Sequence, residues 1–216
     1  MNATLRLVMG SVVAVLGAGT ALGNYSFSVN QNIPDGNPVG LASVGTISGL
    51  ADDGTIADVS VGLNISGGYN GDLYGYLEAP NGATVVLMNQ PGVTGGNPFG
   101  YGGSGFDITL SDAGSATLQN TPETPGAVVT GTYQPVGSFS TLTGLNGDGN
   151  WTLFVADMSD GGGQAVLNNW SLDVAPAPEP GQVGAMGLLG LLGAAGWLHA
   201  RWKKAGNSAS SGKVPR

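Results

Sequence analysis

Between residues 7 and 198 this 216-residue chain has no lysine, arginine, histidine or cysteine. The basic residues are Arg6, Arg201, Lys203, Lys204, Lys213 and Arg216, and the single histidine is His199. All 14 acids lie from Asp35 to Glu179. This distribution removes most catalytic chemistry from the middle of the chain. Ser-His-Asp and Cys-His nucleophile pairs need an imidazole, and a Schiff base needs a lysine. Zinc sites draw on His or Cys, and phosphate clamps on Arg or Lys. A nucleic-acid partner is excluded as well, because an acidic surface has no cations to displace counterions. Carboxylate chemistry is left: calcium binding, or a carboxylate pair acting on a sugar.

Three acidic spots could hold calcium. Asn146-Gly147-Asp148-Gly149-Asn150 places oxygens at alternate positions of a flexible loop, as calcium loops do. Asp157 and Asp160 flank the loop that leads into Gly161-Gly162-Gly163. Asp52-Asp53 and Asp58 surround the start of a strand-like run. For any one spot the turn reading is preferred, since Asp and Asn before Gly are common in hairpins without metal. We select Asp148, Asp157 and Asp160 as candidate ligands, with calcium the one cofactor considered. For sugar rings the candidates are Tyr74 and Tyr76, with Tyr69, Phe99 and Tyr101 as further aromatics; cross-strand packing is the plain alternative. No pair of acids is marked out for glycan hydrolysis.

The elements that must position these residues are strands. A charged fraction of 9% and 40 glycines, with short apolar runs, fit all-β structure with many turns. The strongest run is Trp151-Thr152-Leu153-Phe154-Val155-Ala156-Asp157, followed closely by Leu167-Asn168-Asn169-Trp170-Ser171-Leu172-Asp173-Val174. Period-two spacing puts Trp151, Leu153 and Val155 on one face, and Trp170, Leu172 and Val174 on another. Side by side they read as a hairpin. Upstream, strands are expected at 25–29, 56–65, 72–78, 84–88, 106–110 and 128–133. Val59, Val61, Leu63 and Ile65 share one face, and Asn81-Gly82 is a favourable hairpin turn. Residues 32–38 read as loop. The expectation is an all-β, jelly-roll-like β-sandwich of about eight strands over residues 24–175.

Four pieces in order carry a family resemblance. They are Ile56-Ala57-Asp58-Val59-Ser60-Val61; Gly71-Asp72-Leu73 leading to Leu77, Pro80, Asn81 and Gly82; Gly131-Thr132-Tyr133-Gln134-Pro135 with Leu142 and Gly144; and Gly149 to Asp157 with Leu167, Trp170, Ser171 and Leu172. Over about residues 25–174 the chain resembles the P domain, or Homo B domain, that follows the catalytic domain of subtilisin-like proprotein convertases and many bacterial proteases. The resemblance implies a jelly-roll β-sandwich, often an accessory module. It departs from the family at Gly67-Gly68, where a His-Thr pair is common. It does not imply proteolysis here, since the residues before the first strand leave no room for a protease domain.

The two ends read as export signals. Residues 1–23 have a basic Arg6, an apolar run and small residues at Ala21 and Gly23, as a cleaved signal peptide does. Residues 176–180 form a stiff Pro-rich linker. Residues 181–199 are apolar enough to cross a membrane as a helix, and the basic cluster in 200–216 predicts that this end stays in the cytoplasm. Pro178-Glu179-Pro180, the apolar stretch and Arg201, Lys203 and Lys204 together resemble the PEP-CTERM sorting signal of Gram-negative bacteria. That resemblance implies an exosortase-type processing enzyme as partner, extracellular polysaccharide as a second, and the membrane through the C-terminal helix before processing. The combined expectation is an exported, non-catalytic structural or adhesive protein of the cell surface or biofilm matrix. The alternatives are a calcium-dependent carbohydrate-binding module and a carboxylate-dependent glycan hydrolase. With no internal cation, the carboxylates should repel, which raises their pKa values and makes the fold more stable at low pH.

Overall fold

Ile56 to Gly67 alternates buried Val59, Val61, Leu63 and Ile65 with polar or glycine positions, and the same period-two rule shapes the rest of the chain. The computed structural model describes residues 23–50 and 54–177. It is all-β, with nine strands: β1 (Gly23–Ile33), β2 (Asn37–Ile47), β3 (Ile56–Gly67), β4 (Leu73–Glu78), β5 (Thr84–Asn89), β6 (Gly105–Leu110), β7 (Val129–Tyr133), β8 (Gly149–Asp157) and β9 (Ala165–Pro176). A five-stranded sheet has the order β1-β9-β3-β6-β7, and a four-stranded sheet the order β2-β8-β4-β5. The two make a β-sandwich-like arrangement around one shared hydrophobic core.

The expected hairpin of β8 and β9 is not formed. β8 lies between β2 and β4, whereas β9 lies between β1 and β3 in the other sheet. Their apolar faces do point inward as read: Trp151, Leu153, Val155, Trp170, Leu172 and Val174 are all fully buried. The chain changes sheet in the loop between them, where Gly161, Gly162 and Gly163 all have positive φ (103°, 74° and 91°). That backbone is open to glycine and strained for other residues, so the connection can leave one sheet and enter the other. Among the described residues only β4 and β5 form a hairpin, at the expected Asn81-Gly82 turn.

The additional strand is β2, which starts inside the stretch read as loop. It pairs with β8 from Ile47↔Gly149 to Asn37↔Asp157, with an irregularity between Asn37 and Leu41. Gly45 faces β1 so closely that a Cβ there would collide with the Phe27 ring, and Phe27 in turn packs against Trp170 with centroids 4.4 Å apart and the rings tilted by 37°. Both buried indoles are satisfied: Trp151 Nε1 donates to the Gly147 carbonyl (2.8 Å) and Trp170 Nε1 to Ser43 Oγ (2.9 Å), as buried Trp requires. β1 begins at Gly23, paired with Val174.

Several expectations lie outside the described residues: residues 1–22 of the signal peptide, Asp52 and Asp53, Pro178, Glu179 and Pro180, the apolar stretch 181–199, and Arg201, Lys203 and Lys204. Among the described residues no helix is long and apolar enough to cross a membrane.

Candidate functional site

β8 carries the two acidic candidates at its opposite ends. Asp148 immediately precedes the strand and Asp157 closes it, and nine residues of extended chain put them about 30 Å apart. They cannot share an ion.

At the Asp148 end each polar side chain spends one oxygen on a donor. Asp148 Oδ1 accepts from the Leu50 amide at 3.0 Å. Asn146 Oδ1 accepts from the Asp148 amide at 2.8 Å, and Asn150 Oδ1 from Thr46 Oγ1 at 2.8 Å. This is a turn fixed by its own side chains. Asp58 Oδ1 likewise accepts from the Val59 amide.

The Asp157 end is different. Asp157 continues the inward register of Trp151, Leu153 and Val155, so the strand carries a carboxylate into the mouth of the core. It pairs with Leu73 of β4 and Asn37 of β2 and is fully buried. Oδ1 accepts from the Ser159 amide at 3.3 Å. Oδ2 has no hydrogen-bond partner. Burial pushes Asp157 above the usual carboxylate range; the Ser159 amide offsets part of this, repulsion from Asp35 adds to it, the Gly36 amide beside it again offsets part without reaching hydrogen-bonding geometry, and Asp160 repels.

Asp72 sits across from it, in the single 3₁₀ turn that feeds β4. It is only 8% exposed. Burial first, then repulsion from Asp157, raises its pKa from 3.8 to about 6, with Asp35 adding to this and the Ser159 hydroxyl opposing it. Asp160 is exposed and packs on Gly36, where any side chain would strike its carboxylate. Asp72 and Asp160 also line a cavity of about 390 Å³ whose other walls include Tyr69, Phe99, Ser159 and Gly162. Among the described residues no three acidic side chains converge closely enough to hold a metal on their own.

A second buried acid, Glu123, is structural in its surroundings. Its Oε2 accepts from Asn70 Nδ2 (2.9 Å) and the Gly103 amide (3.1 Å). Asn70 is buried and spends its remaining capacity on Gly105. Glu123 thus ties its loop to the turn before β4, and burial raises its pKa.

The aromatic candidates separate into two groups. Tyr74 and Tyr76 project from the outer face of the four-stranded sheet, both half-buried. Phe154 of β8 joins them, with ring centroids 4.9 Å from Tyr76, stacked, and 6.5 Å from Tyr74, edge-on. Tyr69 and Phe99 belong instead to the cavity beside Asp72, and Tyr101 packs over Gly92.

Sequence reasoning passed over Asp35, Asp72 and Phe154. The signal for Phe154 was present: it is the one aromatic on the polar face of an otherwise clean alternation. Nothing local marks Asp72 or Asp35, which meet Asp157 only through the packing of β4 and the β1–β2 turn.

Against protein-family models the chain has no match, and among curated proteins it has none either. Among solved structures it is similar to the serine protease of Aeromonas sobria, at 18% identity and a TM-score of 0.47 over 72% of this chain. The complex of that protease with its chaperone gives 20% identity and a TM-score of 0.46 over 73% of this chain. In both cases the chain spans 27% of the neighbour's length.

Proposed function

We propose that this is a non-catalytic adhesive module of the cell exterior, a jelly-roll sandwich of P-domain type that holds extracellular polysaccharide on the outer face of its four-stranded sheet. The observation that carries this reading is the cluster of Tyr74, Tyr76 and Phe154, three rings on one outward face. Val86 and Ala42 flank it in register, paired with Tyr76 and Phe154. Apolar ring faces match the CH faces of sugar rings, and a patch of this kind on an outer strand face marks an interaction site. The lack of any cation from Gly23 to Ala177 favours a neutral glycan over an acidic one. Asp157 has no catalytic part in this reading, because it is fully enclosed and cannot reach a glycosidic oxygen.

Delivery is proposed on the sequence signals alone: export by the segment 1–23, then sorting through Pro178-Glu179-Pro180 and the basic cluster by an exosortase-type enzyme, with the C-terminal helix as the anchor before processing. The test is retention on insoluble and soluble neutral polysaccharides, including that of the native host, by pull-down and affinity electrophoresis. Tyr76→Ala and Phe154→Ala should each weaken retention about tenfold, the usual scale for a contact worth more than about 1 kcal/mol, with the fold intact by circular dichroism. Retention that these substitutions leave unchanged would sink the aromatic-face reading.

A further inference from the structure

We infer that Asp72 and Asp157 form a binding site for a single divalent cation, calcium, at the end of the sandwich where β8 leaves and β4 enters. This goes beyond the polysaccharide face and does not depend on it.

Two independent observations meet at this place. The first is the concentration of charge. Leu73, next to Asp72, pairs with Asp157, and the Met158 amide donates to the Asp72 carbonyl at 2.8 Å, so the two acids meet at one end of the sheet. Asp157 repels Asp72, Asp35 acts on both and Asp160 on Asp157. No lysine, arginine or histidine exists from Gly23 to Ala177 to balance them. The second is the state of one oxygen. Asp157 is fully buried and its Oδ2 has no hydrogen-bond partner. Buried carboxylate oxygens are ordinarily satisfied, because leaving one bare costs about 1–3 kcal/mol or more when charged. Among the described residues Glu123 Oε1 is the other buried carboxylate oxygen without a partner, but no second carboxylate acts on Glu123; at Asp148 and Asp112 carboxylate oxygens accept from backbone amides.

The donor chemistry selects the ion. Everything within reach is oxygen: two carboxylates, the Ser159 hydroxyl that already faces Asp72, and backbone carbonyls. There is no thiol or imidazole, which removes zinc, copper and iron from preference. Among the described residues no third His, Cys, Asp or Glu joins them closely enough to complete a ligand set, so the remaining positions fall to carbonyls and water. Calcium takes 6–8 oxygens in flexible geometry, whereas magnesium demands a tight octahedron and gives up its waters reluctantly. The cavity of about 390 Å³ opens the Asp72 side of the site to solvent, with Asp157 buried behind it. Tyr69 stands in its wall, close enough to serve as a reporter.

The experiment uses the full chain after treatment with chelator. Terbium, a luminescent calcium substitute, should show emission sensitised by Tyr69, and added calcium should quench it by displacement. Calcium at one hundred times its dissociation constant should raise Tm by roughly 5–10 °C for a domain of this size, with magnesium giving a much smaller shift. Asp72→Asn and Asp157→Asn should each abolish both signals, and Asp148→Asn should keep both. If Asp157→Asn fails to fold, the Asp72→Asn terbium signal decides. Absence of a calcium shift in the unaltered chain overturns the site, and so does a shift that survives both substitutions or one that magnesium reproduces in full. Loss of polysaccharide retention with the calcium shift intact would count against the aromatic face alone.

Discussion

The two ends of β8 are both turns of acid and glycine, with opposite physics. Before the strand stands Asn146-Gly147-Asp148-Gly149-Asn150; after it stands Asp157-Met158-Ser159-Asp160-Gly161. At the first end, side-chain oxygens accept from Leu50, Asp148 and Thr46 donors, and the one acid, Asp148, is half-buried. At the second, register turns the carboxylate into the core, where one oxygen is left bare. Acid-and-glycine loops are therefore not a class with one meaning. What separates a turn from a candidate ion site here is where the strand's alternation falls when it ends.

The largest test of this contrast acts on the strand itself. Trp151→Ala removes the side chain that anchors the first loop through Gly147 and leaves a cavity under the whole strand. It should cost about 3–5 kcal/mol by chemical denaturation, and both ends should loosen together. Next comes Asp148→Ala, which strips the Leu50 amide of its acceptor. A loss of about 1–2 kcal/mol is expected, independent of calcium. Asp157→Asn in calcium-free buffer at neutral pH should have the opposite sign, raising stability by about 1 kcal/mol, because it removes a buried charge that has no counter-ion. Equal destabilisation by both substitutions would erase the distinction between the ends.

The remaining test is in pH. The Asp72 carboxyl has a folded pKa of about 6 against 3.8 in the unfolded chain, so the native state holds its proton more tightly. Its contribution to stability is fully present below about pH 3.8 and is lost as pH rises through about 6. Asp157 and Glu123 are shifted the same way. Calcium-free protein should thus lose stability between about pH 4 and pH 6, read from denaturation midpoints, and Asp72→Asn should flatten the slope. The sequence argument anticipated this sign but named repulsion as the cause; the structure puts burial first in all three groups.

Local pattern and tertiary placement divide the molecule cleanly. Alternation in the sequence by itself determined that the chain is all-β, located β3, β4, β5, β6, β8 and β9 closely, and oriented Trp151, Trp170, Tyr74 and Tyr76 correctly. Period two is a property of single strands, so it survives without knowledge of partners. The same period says nothing about which sheet a strand joins, which is why β8 and β9 read as a hairpin although three positive-φ glycines carry the chain across to the other sheet. β2 escaped notice because Pro38, Gly40 and Gly45 weaken its alternation; it is held by β8 and by the Phe27 ring over Gly45. Asp157 was visible as an acid, but its meeting with Asp72 and Asp35 joins residues far apart in the chain. Only the packing of β2, β4 and β8 decided that, because the cost of a buried charge depends on what surrounds it in space and not on its neighbours in sequence.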